Sequence, residues 1–199
     1  MHGMINRAIQ CFLRDTYGAQ AWLDIAENAD LGFENFEAML SYPDQITLDV
    51  LGRAARHLHK PVETFLEDLG TYLVSHPNVE AIRRLLRFGG ENFTEFLYSL
   101  NDLEGRAKLA LPDLEVPTLS VESCGDGTFR LRCSSAMPGF GYAMVGVMRA
   151  MADDYGALVF LEHSGWMDSG EEVITINLLE VAYAEGRAFD LFGRIGDGL

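Results

Sequence analysis

Apolar residues recur at helical spacing through the first half of the chain and shift toward a spacing of two in much of the second. Met4, Ile5, Ala8, Ile9, Phe12 and Leu13 share one helical face over 3–16, and Tyr17-Gly18 closes it. A second helix is expected around Trp22, Ile25 and Ala26, and two more over 34–41 and 45–58, the latter carrying Leu48, Leu51, Ala55 and Leu58. Pro61 suits the first position of the next helix, which runs through Phe65, Leu66 and Leu69 to Leu73. After the turn Ser75-His76-Pro77-Asn78, a helix over 79–88 buries Ile82, Leu85 and Leu86, and Gly89-Gly90 breaks the chain.

The next stretch, 89–105, places a charge on its greasy side. Asn92 suits an N-cap with Glu95 three residues on, and Gly105 suits the position just past the helix end. Phe93, Phe96, Leu97, Leu100 and Leu103 form the apolar stripe, and Glu104, four residues after Leu100, projects from it. Two readings are open: a long side chain in the last turn reaching past the stripe into water, or a residue that lines a pocket and decides what it holds.

Beyond Pro112, residues 118–124 and 128–133 are alternating runs joined by Gly125-Asp126-Gly127, a hairpin loop with glycine available for positive φ. A helix over 139–155 carries a Met-rich stripe of core type, with Met144, Met148 and Met151. Residues 157–165 and 171–180 make a second strand pair in which Ile174, Ile176 and Leu178 share a face. The class expected is α+β: a helical N-terminal lobe (1–111), then an antiparallel sheet of about four strands with a long helix inserted (112–182). Residues 183–199, with Phe189, Leu191, Phe192 and Ile195, read as a C-terminal tail.

Thirty acidic against fifteen basic residues give a formal charge of −15, which disfavours nucleic acid and anionic membrane as partners. The N-terminus lacks the apolar stretch of a signal peptide, so a cytoplasmic location is expected. Cys11, Cys124 and Cys133 have no zinc-type spacing and read as free thiols used for packing. There is no G-x-S-x-G elbow, P-loop or dinucleotide fingerprint, and His57 and His59 are two apart, so no enzyme chemistry is anchored.

The opening Met1-His2-Gly3-Met4-Ile5-Asn6-Arg7-Ala8-Ile9, then Tyr17-Gly18 and Trp22, is similar to the first helix pair of the haem nitric-oxide/oxygen-binding (H-NOX) domain, the sensor of soluble guanylate cyclase and of many bacterial proteins. Residues 90–103 resemble that family's proximal helix, and the resemblance runs to about residue 180. It implies the H-NOX fold, a haem cofactor, and a separately encoded signalling partner such as a histidine kinase or a cyclic-dinucleotide enzyme. By the same resemblance Glu104 stands where the family has its axial histidine, next to Leu100. Cys133, Ser135 and Met137 stand at the Tyr-x-Ser-x-Arg motif that grips the haem propionates, and Pro117 matches a haem-contacting proline. A carboxylate is a poor ligand for ferrous haem, and methionine cannot make the bidentate pair of arginine. The resulting reading is a regulatory module without ordinary histidine-ligated haem, its pocket holding another small apolar ligand or filled by side chains. The alternative is a haem sensor of nitric oxide or oxygen with a substitute iron ligand, Cys133 or one of the histidines.

Overall fold

The computed structural model describes residues 1–110 and 116–187. Helices α1 (Gly3–Tyr17) and α2 (Ala19–Asn28) meet at Gly18, whose φ of 93° favours glycine. Helices α3 (Asp44–His57), α4 (Val62–Ser75) and α5 (Glu80–Arg87) come next in the chain, with Pro61 standing just before α4 and a 3-10 turn, Pro77–Val79, before α5. Side chains of α1 to α4, with Met137 and Ala143, make one buried cluster around Phe12, Trp22, Phe65 and Leu66.

The helix expected over 34–41 is absent. Its backbone groups are taken by side chains of neighbouring helices: Trp22 Nε1 donates to the Glu34 carbonyl at 2.7 Å, and the Phe36 amide donates to Gln10 Oε1 at 3.0 Å. Arg7 also donates to the Phe36 carbonyl. Tertiary partners satisfy this backbone as well as a helix would, and the segment stays irregular.

The stretch 92–105 also departs from expectation. Helix α6 (Phe93–Ser99) starts at Asn92, whose side chain accepts from the Glu95 amide as its cap. It then tightens into a 3-10 turn, Leu100–Asp102, and continues as α7 (Leu103–Ala110). Gly105 lies inside α7 and does not end a helix.

Strands β1 (Thr118–Gly125) and β2 (Thr128–Ser134) form the expected hairpin, with Gly125, Asp126 and Gly127 all at positive φ. Helix α8 (Phe140–Tyr155) leads to β3 (Leu158–Trp166) and β4 (Glu172–Glu180). The sheet order is β1-β2-β4-β3, antiparallel throughout, so β4 enters between β2 and β3. Its inner face, through Leu131, Ile174 and Ile176, packs on α6 and α8 in a second buried cluster.

Helices α4 and α8 join the two clusters backbone to backbone. A Cβ on Gly70 would overlap the Ala143 carbonyl, and one on Gly146 would overlap the Glu67 carbonyl. The lobe boundary expected at 111/112, and residues 188–199 of the tail, lie outside the described residues. Residues 183–187 return to α8: the Tyr183 and Ala184 amides donate to the Gly156 carbonyl and the Arg187 amide to the Asp154 carbonyl. Over 183–187 the largely exposed C-terminal segment is thus hydrogen-bonded to the end of α8.

Candidate functional site

The six residues expected around a pocket lie in three places. Glu104 and Pro117 are at the edge of the molecule, Leu100 and Cys133 are in the core beneath the sheet, and Ser135 and Met137 are in the loop before α8.

Glu104 Oε1 accepts from Lys108 Nζ at 2.6 Å, and Oε2 accepts from Thr118 Oγ1 at 3.0 Å. The Lys108 hydrogen bond, then the Thr118 one, holds its carboxyl below the usual carboxylate range. Its side chain is 34% exposed, so this carboxylate is a surface group tying α7 to the start of β1, where half-buried Pro117 leads in. That is the water-reaching reading of its position.

Leu100 and Cys133 belong to one continuous buried cluster with Leu119, Met144 and Met148, none of them more than 4% exposed. Side chains lining a haem-sized void would carry accessible surface; these carry almost none. Burial, reinforced by Glu172, pushes the Cys133 thiol up to about 12, so it stays a protonated packing group. Met137 is buried among α1–α4 side chains, and exposed Ser135 accepts from the Met137 amide at 3.1 Å.

The histidines all have other roles or positions. His2 caps α1, accepting from the Met4 amide, and His76 accepts from the Asn78 amide beside Asp15. His57 and His59 are exposed at the end of α3. His163 Nε2 lies 2.8 Å from Glu172 Oε2, both side chains buried, with the Tyr142 ring stacked on the imidazole at 4.0 Å. His2, His76 and His163 are thus each engaged by a protein group, the Met4 amide, the Asn78 amide and Glu172.

Sequence reasoning missed the His163–Glu172 pair. Glu172 shares strand parity with buried Ile174 and Ile176, so a charge on an inward-facing register was legible as an anomaly. It lies at the N-terminus of α8, where a Cβ on Gly141 would fall 2.6 Å from its Oε2, and the helix dipole favours an anion there. A second missed cluster is Asp154, 1% exposed, paired with Arg83 at 2.7 Å and Arg87 at 3.4 Å across α8 and α5. One further feature among the described residues is a cleft of about 170 Å³ beside Arg14, Trp22 and Glu34.

Solved H-NOX structures share this architecture. An H-NOX protein from K. algicida in the Fe(II) unliganded state superposes with a TM-score of 0.78 at 17% identity, covering 93% of this chain and 100% of that one. The S. oneidensis H-NOX protein in the Fe(II)NO ligation state gives 0.75 at 17% identity, covering 90% and 100%. The fold is thus the H-NOX fold. The family model for Haem-NO-binding (HNOB) domains matches residues 2–163, and the chain belongs to that family. Soluble guanylate cyclase 89Db of Drosophila melanogaster is 19% identical over 158 residues, which is 79% of this chain and 24% of the relative. The rat guanylate cyclase soluble subunit beta-2 is 29% identical over 94 residues, 47% of this chain and 14% of the relative. The chain thus spans about a quarter or less of the length of these curated relatives.

Proposed function

We propose that this chain is a non-catalytic sensory and regulatory module of the H-NOX type whose pocket is closed by its own side chains, so that it works without histidine-ligated haem. The observation that carries this is the pairing of a surface-held Glu104 with a buried cluster at Leu100, Leu119, Cys133, Met144 and Met148. In support, Glu104 is held at the surface by Lys108 and Thr118, and apolar side chains pack beneath the sheet. Met137 adds to it, sitting in the helical core where the resemblance would have an exposed cation at a propionate. On this reading side chains take the place of a small apolar ligand, and the output is contact with a separate signalling protein. A histidine kinase or a cyclic-dinucleotide enzyme is the kind the resemblance implies. The cyclase relatives, of which this chain spans a quarter or less, make a nucleotide cyclase a third candidate.

The test is haem titration of Glu104→His. A closed pocket predicts that supplying the imidazole alone leaves the protein without one equivalent of haem. Stoichiometric uptake by this single variant would mean that the space exists and only the ligand had been lost, which overturns the reading.

A further inference from the structure

The sheet has two edges, and they are treated differently. At β1 the 3-10 turn Leu100–Asp102 packs along the strand, and Asn101 Oδ1 accepts from the Val121 amide at 2.8 Å. At β3, among the described residues, no backbone group outside the sheet pairs with the strand. Bulges at Leu158/Val159 and His163/Gly165 delimit a regular stretch between them. Open edges are ordinarily blunted by lysine or proline, and β3 has neither.

The side chains and charges around this edge are equally one-sided. Val159 and Leu161 face the core, while Phe160 and Trp166 on β3 are each 56% exposed and Leu179 on β4 is 65% exposed. Between Arg149 and Arg187 the chain carries no Lys or Arg and eight carboxylates, of which Asp154 and Glu172 are buried in pairs and the other six are left to the surface around β3 and β4. Glu162, beside Phe160 on the outer face, has no ion-pair partner among the described residues, and Glu180 lies opposite Leu158. Unpaired backbone, protruding aromatics and an acidic rim describe one occupant: an extended segment that brings its own amides and carbonyls, alternates apolar with basic side chains, and lies along β3. A second copy of this chain would bring the same carboxylates against Glu162 and is disfavoured by charge.

We infer that the β3 edge, centred on Phe160 and Glu162, is the docking site for a basic, alternately apolar strand of a separate protein, which adds to the sheet as a fifth strand. This rests on the proposal that the chain acts through a partner, and it names the chemistry of that partner's contact. The main-chain ladder supplies affinity, the Phe160 surface an apolar anchor, and Glu162 the preference for lysine or arginine.

The experiment uses the full chain and a blocked peptide of about ten residues alternating lysine and valine. Trp166 reports binding by fluorescence because Trp22, at 2% exposure, is shielded from the peptide. The inference predicts saturable binding that weakens with salt, slowed amide exchange over 159–163, and loss of binding when glutamate replaces lysine or proline interrupts the peptide. Phe160→Ala and Glu162→Lys, both surface changes, are each expected to weaken it about tenfold. No binding, equal binding to both variants, or equal binding of the glutamate peptide overturns the inference, as does sedimentation as a dimer that Phe160→Ala dissolves. The haem titration is independent of these readouts. Failure here with a haem-free Glu104→His variant removes only the docking site, whereas a haem-loaded variant that binds the peptide removes only the closed pocket.

Discussion

Truncation of Leu100 separates a filled core from an open pocket. Leu100 is 1% exposed and packs within the cluster of Leu119, Cys133, Met144 and Met148. If these side chains close the space, Leu100→Ala removes buried methyl groups and leaves a cavity, costing about 3 kcal/mol within a usual range of roughly 2–5. For a chain of this length each kcal/mol moves Tm by about 2–4 °C, so the midpoint should fall by roughly 6–12 °C. If Leu100 instead faced a vacant pocket, its far side would already lack neighbours and the loss would be about 1 kcal/mol or less. The assay is thermal unfolding followed by circular dichroism, backed by urea titration. Leu109→Ala, at a residue 88% exposed, serves as the control and should stay within about 0.5 kcal/mol. A Tm shift for Leu100→Ala no larger than that control would refute the closed-core argument.

Other consequences can be checked with similarly simple measurements. Tyr72 donates to Asp15 Oδ2 at 2.6 Å, and this bond, ahead of the Asn78 one, lowers the Asp15 pKa. A depressed carboxyl stabilises fully above its ordinary range and loses that contribution as pH falls through the folded-state value, so the Tm of Asp15→Asn should fall less on acidification than that of the parent. Parallel acid limbs would contradict it. With Cys133 pushed up to about 12 and buried, a disulfide reagent at pH 8 should modify exposed Cys124 first and reach Cys133 only on unfolding; prompt reaction of Cys133 in the native protein would show an accessible pocket. Asp154→Ala should destabilise by about 3 kcal/mol by removing the buried carboxylate that Arg83 and Arg87 share, and a loss below about 1 kcal/mol in urea unfolding would contradict it.

Most of the architecture was legible because local signals and burial agree. Asn92 does cap α6, Gly125-Asp126-Gly127 does turn the hairpin, and the Met144, Met148 and Met151 stripe is core. The failures have specific causes. At 100° per residue the 92–105 stripe left two readings of Glu104 open, whereas the 3-10 turn Leu100–Asp102 advances about 120° per residue, and three such residues rotate the start of α7 by about 60°. That phase change turns Glu104 toward Thr118 on β1, while Lys108 pairs with it one turn on along α7. The helix over 34–41 was lost to side chains from α1 and α2, which no local pattern reports. The β2–β4 pairing joins residues about forty or more apart, such as Leu131 and Ile174, and alternation alone does not choose a strand's neighbour. In the candidate site the replaced positions were visible as residue types, while their separation into edge, core and loop was not.

The most direct measurement is the absorption spectrum of the protein expressed with haem supplementation, recorded with and without dithionite and nitric oxide and scaled to protein concentration. A folded protein with no stoichiometric Soret band is the result predicted by the closed cluster and the outward Glu104. A band of one equivalent that shifts with nitric oxide would contradict the account and return the chain to the gas sensors of its family.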